Sequence, residues 1–569
     1  MKNTNHFSLS SSTVGALPLV THFLSRLRFP EFLSRYLPPP DPRTHLNPVV
    51  TLGALLKCLI LSRSPLYSVI EWASPVLPSL LGCAPEQLSE LNDDRLGRSL
   101  ERLFDADRSA LLTDLVLHLI REFTVSLKQL HNDSTTLSFH GQYRDADGTP
   151  MRGRPTVEIT FGHSKGHRPD LKQLLWILTV TFDGVPVQFR VADGNTPDIR
   201  THAKTWQELC SLVGRPDFLY VADSKLCNRT TLTLIHNKGG RFITVLPRTR
   251  KEDAQFRSWL VSHPTPEWKE VTRYPHPRLK HGEPDIVRAL DSPFPDPDGF
   301  RLLWFHSSVK QQRDAESRQE ALDRAVEELQ QLKGKVEGVR SRLSTREGIA
   351  QKTEAILSHR GAQRWIRYLI EERKQERYHQ EKRGRSGPQT RWRRTVKIRY
   401  SLSWQPVLEH IAEETLRDGV FPLLTNCRDL SVKEILDAYR RKQPLIEKRH
   451  EMLKTVLEAT PVFLKNVGRL EAFLFLEYVA LTVHALVERE LRQAMKREGL
   501  KMLPLYPEER ECEAPTAERV FEVFQAFQLH KLRERGTTVK TFYPELTKLH
   551  KTILKLLKIP VSAFREKLS

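Results

Sequence analysis

The sequence predicts an α/β protein, a mixed sheet flanked by helices, interrupted by a segment of different texture and bracketed by helical regions. Three observations carry this. Apolar residues recur at helical spacing before about residue 125. Short β-branched and aromatic runs alternate with helical stretches over 126–250. Helical periodicity returns after about residue 430, beyond a charged, Pro-containing interruption.

Taken in order, PPPDPRTHLNP reads as extended linker. VVTLGALLKCLILS and SALLTDLVLHLIREF read as amphipathic helices of an N-terminal domain over 1–125. LKQLHNDSTTLSF, LLWILTVTF and VPVQFRVADG read as three strands, the last two a hairpin across Asp183 and Gly184 with a two-residue turn. PTVEITFGHSK is assigned to a loop. A helix (PDIRTHAKTWQELCSLVG), a strand (FLYVADSKL), a second helix (NRTTLTLIHNKG) and a further strand (GRFITVLPRT) complete the first α/β part. Residues 251–430 form the interruption, with the strand-like FRLLWFHSS, a charged helical stretch from about Gln311 to Leu343, and basic parts also assigned as helical. In SVKEILDAYRRKQPLIEKRHEMLKT, Ser431 and Glu434 have capping-box spacing. LEAFLFLEYVALTVHALVERELRQAMKREG reads as a buried core helix, ending a second α/β part at about residue 500. Residues 501–569 are expected to be helical.

The 569 residues allow roughly three or four domains. Hydrophobic residues make up 39% and charged residues 28%, which excludes a disordered chain. Lys and Arg number 89 against 69 Asp and Glu, a formal charge of +20 that favours a polyanionic partner. Residues 371–400 concentrate this with 11 Lys or Arg against 4 Glu, and Trp392 and Tyr400 are interleaved. Read functionally, guanidinium groups there bind phosphate and aromatic faces stack on bases. Read plainly, the run is a solvated face. The six cysteines are scattered without CxxC or zinc spacing, so neither a disulfide framework nor a zinc finger is supported. No export signal and no uninterrupted membrane-length apolar run is apparent, so the expectation is a soluble protein of a reducing compartment.

Three acids stand where chemistry on phosphodiesters would need them. Cleavage of DNA requires a strong nucleophile and compensation of the charge that builds on oxygen. Two Mg²⁺ ions about 3.5–4 Å apart supply both when a few carboxylates converge. Asp133 interrupts a strand in HNDSTTLSF, where an isolated acid is costly unless paired, exposed or bound to a cation. Asp223 stands where the apolar strand FLYVA turns polar, the end at which open α/β sheets place ligands. Glu447 lies on a helix that Pro444 opens, sharing a face with His450, Glu451 and Lys454. Each has a plainer reading: Asp133 as a turn acid, Asp223 as a helix N-cap, and Glu447 as half of a surface ion pair with Lys448 or Arg449.

HNDSTTLSFHGQY, GHSKGHRPDLKQLLWIL, VADSKLCNRTTL, GGRFITVLPRTRKED and YRRKQPLIEKRHEMLK together resemble segments of DDE transposases of bacterial insertion sequences. They are closest to the insertion-sequence-four clan and its sixteen-thirty-four-like branch, over about residues 125–510. The resemblance implies an RNase H-like core with an acid on the first strand, a second after the fourth strand and a Glu on a late helix. These positions match Asp133, Asp223 and Glu447, which would be both catalytic and metal ligands. It also implies an insertion domain, for which the 223 residues between Asp223 and Glu447 leave room. The family's signature of Tyr, Arg and Lys around the Glu is matched by Lys454. Tyr439 stands eight residues before Glu447 rather than seven, and Gln443 occupies the Arg position, with Arg440 or Arg441 as replacements.

The activity so implied is two-metal-ion cleavage at transposon ends, followed by transfer of the freed 3′-hydroxyl into target DNA. Mg²⁺ is the expected cofactor, and Mn²⁺ the alternative. Terminal inverted repeats and target duplex are the expected DNA partners, a homodimer in a synaptic complex the assembly, and the bacterial cytoplasm and nucleoid the location, with no membrane association. Expected DNA contacts are Lys454, Arg440, Lys225, Arg391, Arg393, Arg394 and Trp392. Trp304, Trp365, Trp392 and Trp404 are candidates for holding a flipped base. Two other readings are carried: a transposase-derived DNA-binding protein without cleavage, and a metal-dependent nuclease without joining.

Overall fold

A computed structural model describes residues 7–565 apart from 63, 166–167, 277–281, 339–342, 344 and 458–463. The chain divides into two compact units, Met1–Thr244 with Glu434–Ser569, and Val245–Lys433. In chain order the strands are β1 (Phe7–Thr13), β2 (Gln129–Phe139), β3 (Lys172–Thr181), β4 (Pro186–Asp193), β5 (Leu219–Ala222), β6 (Arg241–Val245), β7 (Lys269–Tyr274), β8 (Asp285–Asp291), β9 (Arg301–Ser307), β10 (Ile366–Gln380), β11 (Trp392–Pro406), β12 (Val420–Thr425), β13 (Gln528–Glu534) and β14 (Thr537–Phe542).

In the first unit the N-terminal helices begin where the sequence supplies caps. The Asn47 side chain accepts the Val49 N–H and Pro48 opens the helix Pro48–Leu61, while Asn92 caps Asp93–Asp105 through the Arg95 N–H. The core strands run in the order β4-β3-β2-β5-β6. β3 is antiparallel to β2 and β4, whereas β2, β5 and β6 are parallel. This mixed sheet with flanking helices is the RNase H-like arrangement. QLLWILTVT is buried along its whole length, as a strand covered on both faces must be. The β3–β4 connection is the four residues 182–185 rather than the expected two-residue turn. Thr181 N–H bonds to Val185 O, and within 182–184 only Gly184 takes a positive φ, 82°. Asp183 is instead held by the Thr181 hydroxyl at 2.5 Å and the Arg489 guanidinium at 2.6 Å.

The helix Val467–Arg497 runs through the interior of this unit. It is the one described helix long and apolar enough to cross a membrane, and its apolar window is wholly buried in the protein. One buried ion pair fixes the helix Gln443–Glu451 against it. Arg449 donates to Glu488 Oε2 at 2.9 Å and to Gly184 O at 2.9 Å, and both charged side chains are almost fully buried. Burial alone would raise the Glu488 carboxyl, but Arg449 and Arg492 outweigh it and hold it below its ordinary range.

The C-terminal region departs from the helical expectation. Helices Ala517–Phe524 and Lys548–Leu556 are present, but β13 and β14 form a hairpin across Arg535 and Gly536, both at positive φ, and β1 pairs antiparallel with β13. Arg-Gly provides the two positive φ angles that such a turn requires.

The second unit carries the antiparallel order β12-β9-β8-β7 and the helices Lys251–Ser262, Ser308–Glu337 and Arg346–Arg360. Its basic part is not helical. β10 and β11 pair antiparallel over fifteen residues each, as a two-stranded ribbon. Every second residue from Trp392 through Val396, Ile398, Tyr400, Leu402 to Trp404 is apolar except Arg394, a strand period that the charge count conceals. Ile366, Ile370 and Leu402 pack the base of the ribbon on the two long helices.

Replacing Arg449 by Met should strand Glu488 without its principal partner and cost about 3–5 kcal/mol, whereas a double replacement by Met at 449 and 488 should recover much of it. Denaturant unfolding of the three proteins measures both differences.

Candidate active site

The parallel pairing of β2 with β5 sets Asn132 opposite Ala222. The next residues on the two strands are Asp133 and Asp223, which therefore leave neighbouring strands at the same level of the sheet, about 4.8 Å apart in the pairing direction. The helix Gln443–Glu451 is fastened against β2 by Gln443, whose Oε1 lies 3.0 Å from His131 Nδ1 and whose Nε2 donates to Asn132 O at 3.4 Å. Gln443 is thus a buried tie between helix and strand and does not face a phosphate. Burial lowers the His131 imidazole to about 4 and keeps it neutral.

Asp133 feels both of the other acids. Burial pushes the Asp133 carboxyl up to about 7, and Asp223 and Glu447 push it further in the same direction, against Lys165 and the Ser134 N–H. Burial also raises Asp223, as does Asp198, while the Lys225 N–H and Lys165 oppose. Asp223 does act as an N-cap, its Oδ1 accepting the Lys225 N–H at 3.0 Å at the head of a short 3₁₀ turn, Ser224–Leu226. The second helix of that segment has its own cap, Asn228. Capping therefore occupies only one oxygen of Asp223.

Tyr439 joins this cluster. Burial raises its phenol well above the ordinary value, and Asp223, Glu447 and Asp133 each add to the rise. Its spacing from Glu447 is one residue longer than the signature, and the backbone absorbs the extra residue in a π-helical turn, Ala438–Lys442. Pro444 follows directly, near the start of the next helix, with no N–H to give to residue 440 and a ring that crowds that carbonyl. A second π-helical turn, Met452–Val456, carries Lys454. Burial and Lys165 lower the Lys454 amine, while Asp133 opposes. His450 is buried with Nε2 3.7 Å from Asp133 Oδ2, too far for a hydrogen bond, and burial followed by Lys165 and Lys454 drives its pKa to about 3. Glu447 and Glu451 are exposed, and His450 turns inward.

Sequence reading passed over Lys165. Its ammonium donates to Ser134 O at 2.6 Å and Ser134 Oγ at 3.0 Å and pairs with Asp198 at 2.8 Å, beside Asp133. The loop that carries it is clamped by close backbone approach: a Cβ on Gly194 would lie 2.0 Å from Gln173 O and 2.6 Å from Thr160 O, and one on Gly162 would lie 2.0 Å from Gly194 O. Two glycines around a lone Lys, in a stretch without periodicity, are the only sequence signal.

The donor set suits a hard divalent cation, because carboxylate oxygens are the ligands Mg²⁺ and Mn²⁺ favour and the raised carboxyl of Asp133 shows negative charge awaiting compensation. Asp133 is the shared member, coupled to Asp223 on one side and to Glu447 on the other. As the side chains stand, no group of three or more His, Cys, Asp or Glu among the described residues is gathered around a single point. Asp133 is the acid whose proton both of the others help to hold.

The other expected contacts are spread between this cluster and the second unit. Lys225 is exposed beside Asp223. Arg440 is in the first π turn. Arg391, Trp392, Arg393 and Arg394 stand at the far end of the ribbon, with Arg394 paired to Glu376. Of the four tryptophans considered for a flipped base, Trp304 is excluded, being fully buried and stacked on Phe256 at 3.8 Å. Trp365 and Trp404 pack against the helices at the ribbon base, and Trp392 is 52% exposed.

Residues 9–117 match a family model described as Domain of unknown function (DUF4277). No curated protein matches the sequence.

Two pH measurements follow. The folded Asp133 carboxyl holds its proton up to about 7 whereas the unfolded one releases it near 3.8. Its burial therefore lowers stability progressively as pH rises between those values. In metal-free protein, Asp133→Asn should raise the melting temperature at pH 8 and leave it nearly unchanged below pH 4, as thermal scans across pH will record. Lys165→Met should move the Asp133 titration above 7, followed by carboxyl-carbon NMR.

Proposed function

We propose that this chain is a DDE-type transposase that cuts DNA at transposon ends and joins the freed 3′-hydroxyl to target DNA. The observation that carries the reading is the β2–β5 register, which sets Asp133 beside Asp223; Glu447, on the helix that Gln443 ties to β2, adds to the rise of the Asp133 carboxyl. The match of residues 9–117 supports it as well, since that domain of unknown function is found in transposase-like proteins.

Asp133 and Asp223 would hold one divalent ion, and Asp133 and Glu447 a second. Bound there, the pair would supply an activated water and neutralise the charge on the leaving oxygen. The chain's own residues do the rest. Lys454 and Lys225 would steady non-bridging phosphate oxygens. Lys165, anchored by Asp198 and Ser134, keeps Asp133 ionisable near neutral pH. Tyr439 stays protonated and offers a donor beside all three acids. In the first reaction, oxygen of water adds to phosphorus and the bond to the 3′-oxygen breaks, the oxygen leaving with a proton. In the second, that 3′-oxygen adds to a target phosphorus and displaces another 3′-oxygen. No covalent link to the protein forms.

Asp133→Ala and Asp223→Ala should each reduce Mg²⁺-dependent cleavage of terminal-repeat DNA by at least about 10²–10³-fold, with duplex binding retained. Supercoiled target added to pre-cut ends separates joining from hydrolysis. Nicked product without joined product would favour a nuclease, and neither product from the unsubstituted chain would leave a DNA-binding protein.

A further inference from the structure

The pairing of β10 with β11 sorts the basic run of 371–400 into two unlike faces. Side chains alternate across a ribbon, and the register sets odd-numbered residues opposite odd and even opposite even. The odd face over 371–380 and 392–400 carries Arg373, Arg377, Arg393, Lys397 and Arg399 against the single acid Glu371, a net of +4. The even face carries Lys374 and Arg394 against Glu372 and Glu376, a net of zero, with Arg394 already paired to Glu376. Charge alone does not distinguish these residues. The backbone does.

At the ribbon base the odd face is the open one, and beyond residue 371 both faces are exposed. Ile366, Ile370 and Leu402, all even, are buried against the helices Ser308–Glu337 and Arg346–Arg360, so the odd side chains point away from that packing. Its cations repel one another. Arg373 stands directly opposite Arg399. Like charges opposed across a ladder destabilise it. Glu371, 3.9 Å from Arg373, is the acid on that face. A face built at this cost, fifteen residues or about 50 Å long, is matched to a polyanion with repeating charge.

We infer that the odd-numbered face of the β10–β11 ribbon is a groove-entering blade for double-stranded DNA, holding the duplex through phosphates and without strong sequence preference. Width selects the ligand. The major groove of B-form DNA admits a two-stranded ribbon, while that of double-stranded RNA is too deep and narrow. The chemistry of the face selects the mode, since guanidinium and ammonium groups dominate it. Of the residues first expected to touch DNA, Arg393 keeps that role on this face, Trp392 and Arg394 belong to the other, and Arg373, Arg377, Lys397 and Arg399 join.

The inference rests on the DNA reading proposed above, but the two fail separately. The test uses the full chain and a 30-base-pair duplex of arbitrary sequence, with binding followed by fluorescence anisotropy from about 50 to 200 mM salt. Replacing the five odd-face cations by Gln should reduce the slope of log affinity against log salt by about 4.5, the loss of five phosphate contacts, and weaken binding at least about a hundredfold at the lowest salt. Replacing the four arginines among them by Lys should keep the slope, and Lys374→Gln with Arg394→Gln should change affinity less than about twofold. Duplex RNA should bind at least about tenfold more weakly. An unchanged slope in the five-Gln variant, an equal loss in the even-face variant, or equal affinity for RNA overturns the inference, whatever the cleavage assay gives. Normal slopes with no cleavage by the unsubstituted chain would leave the blade standing and remove the transposase reading.

Discussion

The parallel register of β2 on β5 is the constraint from which the candidate site follows. Parallel neighbours end on the same side of a sheet, and a pairing of Asn132 with Ala222 leaves Asp133 and Asp223 as the next residues out. A slip of one residue would turn one of them to the other face. The register is protected because β2 is paired along its length to β3 on its other side, and β3 is buried almost throughout. Asn132 adds a side-chain lock, donating to Leu178 O and Thr179 Oγ1 across that pair. Two acids that repel one another are thus held together by an apolar sheet whose register is fixed on both sides of β2.

The third acid depends on a different device. Glu447 is exposed on its helix, and nothing on its own side chain secures it. Its neighbours do so. Gln443 binds β2 one turn earlier, and Arg449 binds the β3–β4 loop and Glu488 two residues later. A buried ion pair is weak evidence for stability but strong evidence for placement, since its partners cannot separate without leaving a charge in the interior. The same helix therefore tolerates an exposed acid over a cluster that raises the carboxyl of Asp133.

How far the sequence revealed this follows from where each interaction partner lies in the chain. Asp133 and Asp223 were legible because each breaks a hydrophobic run of its own, a local signal. Lys165 was not, because its partners, Ser134 and Asp198, are each more than thirty residues away and its loop carries no period. β1 went unread for the same reason: FSLSSST has little apolar content, and only β13, at the other end of the chain, makes it a strand. In the ribbon, a period of two was present from Trp392 to Trp404, but counting charges over a window averages the two faces together and erases it. The hairpin at Asp183 illustrates a smaller miss. Asp-Gly indicates a turn, while the hydroxyl of Thr181 and the guanidinium of Arg489 decide that Asp183 keeps a negative φ.

Tyr439 shows how a departure from a spacing rule can itself be structural information. An α-helix returns to the same face after seven residues, so a Tyr at eight would point aside by most of a quarter turn. The rule fails here because Pro444 cannot complete the hydrogen-bond ladder behind it, and the helix responds with a π turn that takes up one residue. The cost is a weakened turn beside the acids, and the return is a phenol whose proton is held by three negative neighbours at once. Local rules break most readily where placement of a particular atom matters more than backbone economy. A second π turn at Lys454, on the other side of Glu447, places the same irregularity on both flanks of one carboxylate. The helix is regular only over the stretch that Gln443 and Arg449 pin, and Tyr439 and Lys454 hang from its two widened ends.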